Sequence, residues 1–288
     1  MRFSRLWIKS APIAQGKRTL LKHIGNVAYP FVCKTHDGFR VEGTTRDLIQ
    51  RYIYCFGVWE PNLSAFLKKR LSTHGRSNFI DIGANIGYFT LLAGTVPGME
   101  GKVVAIEAHP QIFDHLRRNI ALNKQENITA INAAVLDRVG EVELFDGPDR
   151  NIGSTTVVAS RFAGSSSVRV SSARLVDLVD AETISKTATV KIDVEGAEVQ
   201  VVQGLTDAIA LFPEDVAFVI EISPDLIGRE GRDFIFDFFE SKGFSPYSLR
   251  NSYDPEYYWT ASEPRPPELL QARPESPTDV IFVRGSKP

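Results

Sequence analysis

Asn78-Phe79-Ile80-Asp81-Ile82-Gly83-Ala84-Asn85-Ile86-Gly87-Tyr88-Phe89-Thr90 decides the fold. An apolar run ending in an acid, then glycines spaced through a turn, then a second apolar run predicts a buried strand, a tight turn and a helix from about Ile86. Glycine carries no Cβ, so such a turn lets a ligand come close to the backbone. The stretch reads as a nucleotide-type cofactor site. No Gly-Lys-Ser/Thr follows the turn, which removes the groups a P-loop uses for phosphate and magnesium. Asn85 stands where the dinucleotide fingerprint has its second glycine, so a ligand without a pyrophosphate is expected.

Downstream, strand and helix signals alternate. Phe79 to Ile82 is followed by the helix from Ile86, Val103 to Ile106 by a helix from Pro110 to Asn123, and Ile128 to Val135 is the next strand. Ala188 to Ile192 and Val216 to Ile222 continue the series, with a helix from Ala197 to Leu211 between them. This is the pattern of an α/β, Rossmann-like parallel sheet with helices on both faces. Val142 to Phe145 reads as a local strand, the Gly/Ser-rich residues 147–167 as a loop or flap, and Val168 to Leu178 as a strand and turn leading back to the sheet. Phe234, Ile235, Phe238 and Phe239 fall on one helical face and read as core packing. Phe244 to Leu249 and Asp279 to Val283 close the sheet as a last pair, joined by a Pro-rich insertion, residues 251–277, that is either substrate-related or disordered.

Upstream, Phe31-Val-Cys-Lys-Thr and Phe39-Arg-Val-Glu-Gly flank His36-Asp37-Gly38, which predicts a β-hairpin in an N-terminal extension of residues 1–46. Leu48, Ile49, Tyr52, Ile53 and Phe56 recur at helical spacing, and Glu60-Pro61 opens a second helix. The main domain is placed at 47–288. A length of 288 residues and 43% hydrophobic content suffice for a full core. A formal net charge of -2 gives no overall attraction to nucleic acid, and none is expected as a partner. The first acid is Asp37. Before it stand Arg2, Arg5, Lys9, Lys17, Arg18, Lys22 and Lys34, a basic segment read as solvated or as a peripheral contact with an anionic surface. Cys33 and Cys55 have no metal-ligand spacing and are expected as ordinary thiols. No apolar run reaches the roughly 18 residues of a membrane span, and the opening is too broken by charge for a signal-peptide core. A cytoplasmic enzyme is the expectation.

Glu107 ends the strand after the glycine turn, 24 positions past Gly83, where its two carboxylate oxygens can bridge a ribose diol. Asp81-x-Gly83-x-Asn85-x-Gly87, together with Glu107-Ala108-His109-Pro110, resembles the S-adenosylmethionine site of class I methyltransferases. Val190-Lys191-Ile192-Asp193-Val194-Glu195-Gly196-Ala197-Glu198 narrows the likeness, because it closely matches the KIDVEGAE signature of the FkbM family of methyltransferases. Trp59-Glu60-Pro61, Asn119, Ala133 to Asp137, Ser154 and Leu175 to Leu178 agree with it, over about Asp47 to Gly204, with weaker agreement at Glu221 and Phe282.

The resemblance implies a seven-stranded class I methyltransferase sheet, mostly parallel with its last strand antiparallel. It implies S-adenosyl-L-methionine as cofactor, S-adenosyl-L-homocysteine as product, and transfer to a hydroxyl of a sugar, glycan or related natural product. Carried onto this chain, Asp81, Gly83, Asn85 and Gly87 cradle the methionine part, Glu107 holds the ribose, and Asp137 and the backbone near Ala134 lie beside the adenine. Glu60 is assigned to the cofactor side. His109 is read either as a ribose contact or as a turn residue. The departures are Arg174, where the family often has threonine, and the long 251–277 stretch; both bear on the acceptor.

Asp193 and Glu195 stand at the carboxyl end of a parallel strand, the edge where α/β sheets bind ligands, and one of them is expected to take the acceptor's proton. Asp193 also belongs to the cofactor set, and Glu195 has a second reading as a cap for the following helix. Glu198 is expected one helical turn behind the site. Ser154, Thr155 and Glu221 are placed on the acceptor side. Lys191 is expected across the sheet from Asp193 and in a salt bridge rather than in chemistry. No metal ligands are assigned, although Asp193, Glu195 and Glu221 offer the oxygen set of a divalent cation. Two rival functions remain, a cofactor-binding module of the same fold and a nicotinamide oxidoreductase.

Overall fold

The structure, a computed structural model, describes residues 14–74, 77–96, 100–147, 155–158, 166–260 and 263–284. Ser154, most of the 147–167 loop and the first basic residues lie outside the described residues. In chain order the elements are α1 (Ala14–Val27), β1 (Pro30–Lys34), β2 (Arg40–Thr44), α2 (Leu48–Phe56), α3 (Pro61–Thr73), β3 (Asn78–Ile82), α4 (Tyr88–Gly94), β4 (Val103–Ile106), α5 (Pro110–Asn123) and β5 (Ile128–Ile131). Then come β6 (Ala134–Val135), β7 (Gly140–Phe145), β8 (Ser167–Ala173), α6 (Leu175–Leu178), α7 (Ala181–Ser185), β9 (Thr187–Ile192), α8 (Glu198–Gly204) and β10 (Ala217–Ile222). The chain closes with α9 (Pro224–Glu240), β11 (Phe244–Leu249), α10 (Pro255–Thr260), β12 (Glu268–Leu269) and β13 (Thr278–Arg284).

The main sheet runs β5-β4-β3-β9-β10-β13-β11-β12. Its first five strands are parallel, and β13 is antiparallel to both neighbours. The expected seven-stranded sheet is present, and two residues of the Pro-rich segment add an eighth strand at the edge. The chain steps outward from β3 to β4 and β5, then returns to build β9 and β10 on the other flank. The switch between β3 and β9 opens a crevice at the carboxyl ends of these strands.

Every residue of β3 and β9 is buried, as a central parallel strand requires. Period-two alternation sends Phe218, Ile220 and Phe282 into one hydrophobic cluster and Ala217, Val219 and Ile281 into the other. Phe239 stacks on Phe282 at 4.4 Å and Ile235 is buried with it, so these two α9 residues are core packing as expected, whereas Phe234 is exposed and Phe236 takes a core place beside them. Leu21 and Ile24 of α1 and Phe31 and Val41 of the hairpin share the second cluster with α2, α3 and β3, so the extension covers one face of the sheet. Asn119 ties the two together: its Oδ1 accepts from the Glu42 amide and its Nδ2 donates to the Ile86 carbonyl. Cys33 and Cys55 are buried thiols.

Two element expectations change. Ile128 to Val135 is two strands, because Asn132 turns aside to donate to the Glu107 and Ala108 carbonyls. Beyond it β6 leaves the main sheet and pairs in parallel with β8, which pairs antiparallel with β7, giving a separate three-stranded sheet. The helix expected to reach Leu211 ends at Gly204, packed so close to the Leu136 carbonyl that a Cβ there would lie 2.3 Å from it. Arg174 holds the start of α6 by pairing with Asp177 at 2.9 Å, and it reaches Asp207 at 2.8 Å.

Candidate functional site

A cavity of about 340 Å³ lies over the crevice, lined by the ends of β3, β4, β9 and β10, by β6 and by Trp59, Glu60 and Tyr253. Ile82, Gly83, Asn85, Glu107 and Ala108 form one part of its wall, and Ile112, Ala134, Val135, Leu136 and Leu144 add an apolar surface beside them. Glu107 is 8% exposed. Its Oε2 accepts from the Asn85 amide and its Oε1 from the His109 amide, each at 2.9 Å. These bonds fix the carboxylate at the wall and leave each oxygen a further lone pair. Burial raises its pKa from 4.5 to about 7 against the effect of the two amides.

Gly83 lines the cavity, and Gly83 and Gly87 both also answer a packing need. A Cβ on Gly83 would lie 1.9 Å from the Asp193 carbonyl oxygen, and one on Gly87 2.5 Å from Leu116. Both residues have positive φ. The missing side chains let the two strand ends and α5 pack together. Asp81 is 1% exposed behind this turn, accepting from the Thr90 hydroxyl at 2.6 Å, with its other oxygen unpartnered.

The same cavity also carries Glu60, Asp193, Glu195 and Glu221, with Asp193 beside the Ile82–Gly83 strand end. One carboxylate oxygen from each of Asp193, Glu195 and Glu221 lies within 4.8 Å of the others. Asp193 pairs with Lys191 at 2.8 Å. Residues two apart on a strand share a face, which corrects the expectation that Lys191 points away. The salt bridge expected of Lys191 is present, and Asp193 is its partner. Glu198 serves the turn: both its oxygens accept from the Gly196 amide, at 3.1 and 3.0 Å. The Thr156 hydroxyl donates to the Glu195 carbonyl.

Glu60 is 6% exposed, and its Oε1 accepts from the Tyr253 hydroxyl at 2.9 Å. The Tyr253 ring stacks on Trp59 at 5.3 Å. Burial pushes the Glu60 and Glu221 carboxyls well above their ordinary range, with acidic neighbours adding to it. Asp279, the ladder partner of Glu221, is raised for the same reasons. Of the five described non-glycine residues with positive φ, Glu60, Asn85 and Glu195 line this one cavity. Conformations of that kind collect at functional sites.

The structure therefore brings Glu60, Gly83, Asn85, Glu107, Ala134, Asp193, Glu195 and Glu221 to one cavity. Asp81, Gly87, His109 and Asp137 are not on its wall. His109 turns its Nε2 to Asp146 at 3.0 Å, and Asp137 lies beside Arg138. Tyr253 went unnoticed in the sequence, where it is one of three tyrosines in the 251–277 insertion and carries no spacing signal. Arg18, counted in the basic segment, pairs with Asp254 and Glu256 of that insertion at 3.1 and 2.9 Å. Among the described residues no helix is long and apolar enough to cross a membrane.

Residues 81–246 match the family model described as the methyltransferase FkbM domain. Among curated proteins, methyltransferase sdnD of Sordaria araneosa is 28% identical over 44% of this chain and 60% of its own length. Hexuronic acid methyltransferase AglP of Haloferax volcanii is 28% identical over 49% of this chain and 53% of its own length. The chain thus spans a little over half the length of the curated relatives it matches. A solved methyltransferase FkbM from Methylobacillus flagellatus KT is 17% identical with a TM-score of 0.45, over 72% of this chain and 44% of that one. An O-methyltransferase from Bacillus cereus, solved in complex with SAH, is 14% identical with a TM-score of 0.45, over 79% and 83%. Structural likenesses of this size say nothing about what the chain does.

Proposed function

The chain belongs to the FkbM methyltransferase family, and from that premise we propose that it transfers a methyl group from S-adenosylmethionine to a hydroxyl oxygen of a sugar, glycan or related acceptor. The observation that carries the reading is the one cavity lined together by Glu107, an apolar surface and the acids Glu60, Asp193, Glu195 and Glu221. The residues present suit the cofactor. Glu107 has lone pairs for the ribose diol, Ile112, Ala134, Leu136 and Leu144 offer an apolar bed for the adenine, and Gly83 and Asn85 border the methionine part. The acids supply the negative field that a sulfonium cation favours.

When bound, S-adenosylmethionine supplies a methyl group on a sulfur that is already a good leaving group. The chain's own task is then to hold the acceptor in line and to remove its hydroxyl proton. The Asp193-to-Glu195 turn takes that proton in this reading. Lys191 holds Asp193 in place, and Glu198 holds the turn from behind. Asp81 and Gly87 serve the site by packing, and Asp81 faces the charge of Lys191. Ser154 stays an acceptor-side proposal, and no metal is assigned a role.

Labelled S-adenosylmethionine incubated with the protein and extracted glycans tests the reading. Label should enter the acceptor fraction with release of S-adenosylhomocysteine, and Asp193→Ala should slow this by about a hundredfold or more, the usual weight of a positioned base. Binding of the cofactor with no label transferred to any fraction would leave only a binding module.

A further inference from the structure

Resting on the methyl-transfer reading above, we infer that the acceptor bears a protonated amine, and that Asp193, Glu195 and Glu221 receive it on the acceptor side of the cavity. Asp193 and Glu195 leave the end of β9, and Glu221 stands at the end of its parallel neighbour β10. The trio is thus built on two adjacent core strands. Its three oxygens lie within 4.8 Å of one another. An ammonium donating three hydrogen bonds of about 2.8 Å sets its acceptors about 4.6 Å apart, which this spread accommodates.

The charge around the trio selects the same ligand. Glu60 shares the wall, and Asp279 pairs with Glu221 across the β10–β13 ladder. Against these five carboxylates the described residues set one buried cation, Lys191, already engaged with Asp193. Burial and acidic neighbours make Glu221 hold a proton in the absence of a cation, and an incoming ammonium replaces that proton. The stacked Trp59 and Tyr253 rings stand in the same half of the cavity, and they offer π faces and edges to a cation or to the C–H face of a sugar ring.

Two other occupants fit less well. A divalent metal gains nothing from the aromatic wall that an ammonium-bearing sugar can use. A uronate or phosphate would turn like charge toward the acids. The acceptor therefore differs in charge from the hexuronic acid in the name of the Haloferax volcanii relative.

Calorimetric titration of the full chain saturated with S-adenosylhomocysteine tests this with three sugars matched in ring size: D-glucosamine, D-glucose and D-glucuronate. Glucosamine should bind at least about tenfold more tightly than glucose, the size of one charge-assisted hydrogen bond, and glucuronate should bind most weakly. Glu221→Gln should remove the glucosamine preference while S-adenosylhomocysteine affinity stays within about threefold. Any order in which glucosamine is not the tightest overturns the inference, as does no binding by any of the three. Two further results do the same: Mg²⁺ or Mn²⁺ binding that excludes glucosamine, or a large loss of S-adenosylhomocysteine affinity in Glu221→Gln, which would give the trio to the cofactor's own ammonium. If S-adenosylhomocysteine fails to bind the unaltered chain, the methyl-transfer reading falls first; if it binds and the sugars are not discriminated, only the amine falls.

Discussion

Gly83 is required by the chain before any ligand arrives. With φ at +78° and the Asp193 carbonyl where a Cβ would go, Gly83→Ala must push two strand ends apart. A loss of at least about 2 kcal/mol is expected, from overpacking and left-handed strain together, and denaturant unfolding measures it. A variant as stable as the parent would show that the two strand ends are not in contact there. Glu107 carries the second residue-scale prediction. Its pKa of about 7 means that acidification through neutrality replaces a carboxylate by a carboxylic acid at the ribose position. Affinity for S-adenosylmethionine should fall as pH drops through that value. Glu107→Gln should weaken binding by about tenfold and abolish this part of the pH dependence, as titrations at several pH values would reveal. An unaltered slope in the variant would assign the titration to another group.

At the scale of elements, the Asp193-to-Ala197 turn is the part of the site that local physics explains best. Glu195 and Gly196 both have positive φ, and Glu198 reaches back with two oxygens to the Gly196 amide. Glu198→Ala leaves that buried amide without its acceptor, so stability should fall by about 1–3 kcal/mol, and turnover should fall as well because the turn carries Asp193 and Glu195. A stability loss with unchanged turnover would separate the turn from the chemistry. The strand-turn-helix of residues 78–90, the strand ending at Glu107 and the segment 190–198 were legible because each is a local pattern of apolar run, acid and glycine. Asn132 was not, since the break it makes in residues 128–135 depends on carbonyls some 24 residues earlier. Tyr253 was not either, because its partners Glu60 and Trp59 lie on a distant stretch of the chain. Lys191 was misread on one point of period, since positions 191 and 193 face the same way.

For the whole molecule, the unusual quantity is the number of buried acids around one cavity. Glu107 and Glu198 rise from 4.5 to about 7, and Glu60, Glu221 and Asp279 are raised with them. Each holds its proton more tightly folded than unfolded. Above about pH 4.5 the unfolded chain has released protons that the native state keeps, so stability falls as pH rises toward 8. The depressed acids, such as Asp180 and Glu182, are at the surface, and what they contribute is lost only as pH falls below the ordinary carboxylate range. Melting temperature should therefore decline between about pH 5 and pH 8, and a flat or rising curve would contradict the protonated cluster. The measurement that bears most directly on the central claim is a crystal structure with S-adenosylhomocysteine. The ligand is predicted in this cavity, with its ribose hydroxyls on the Glu107 carboxylate and its adenine against Ile112, Leu136 and Leu144. Ligand bound elsewhere, or in the cavity without a Glu107 contact, would contradict the account.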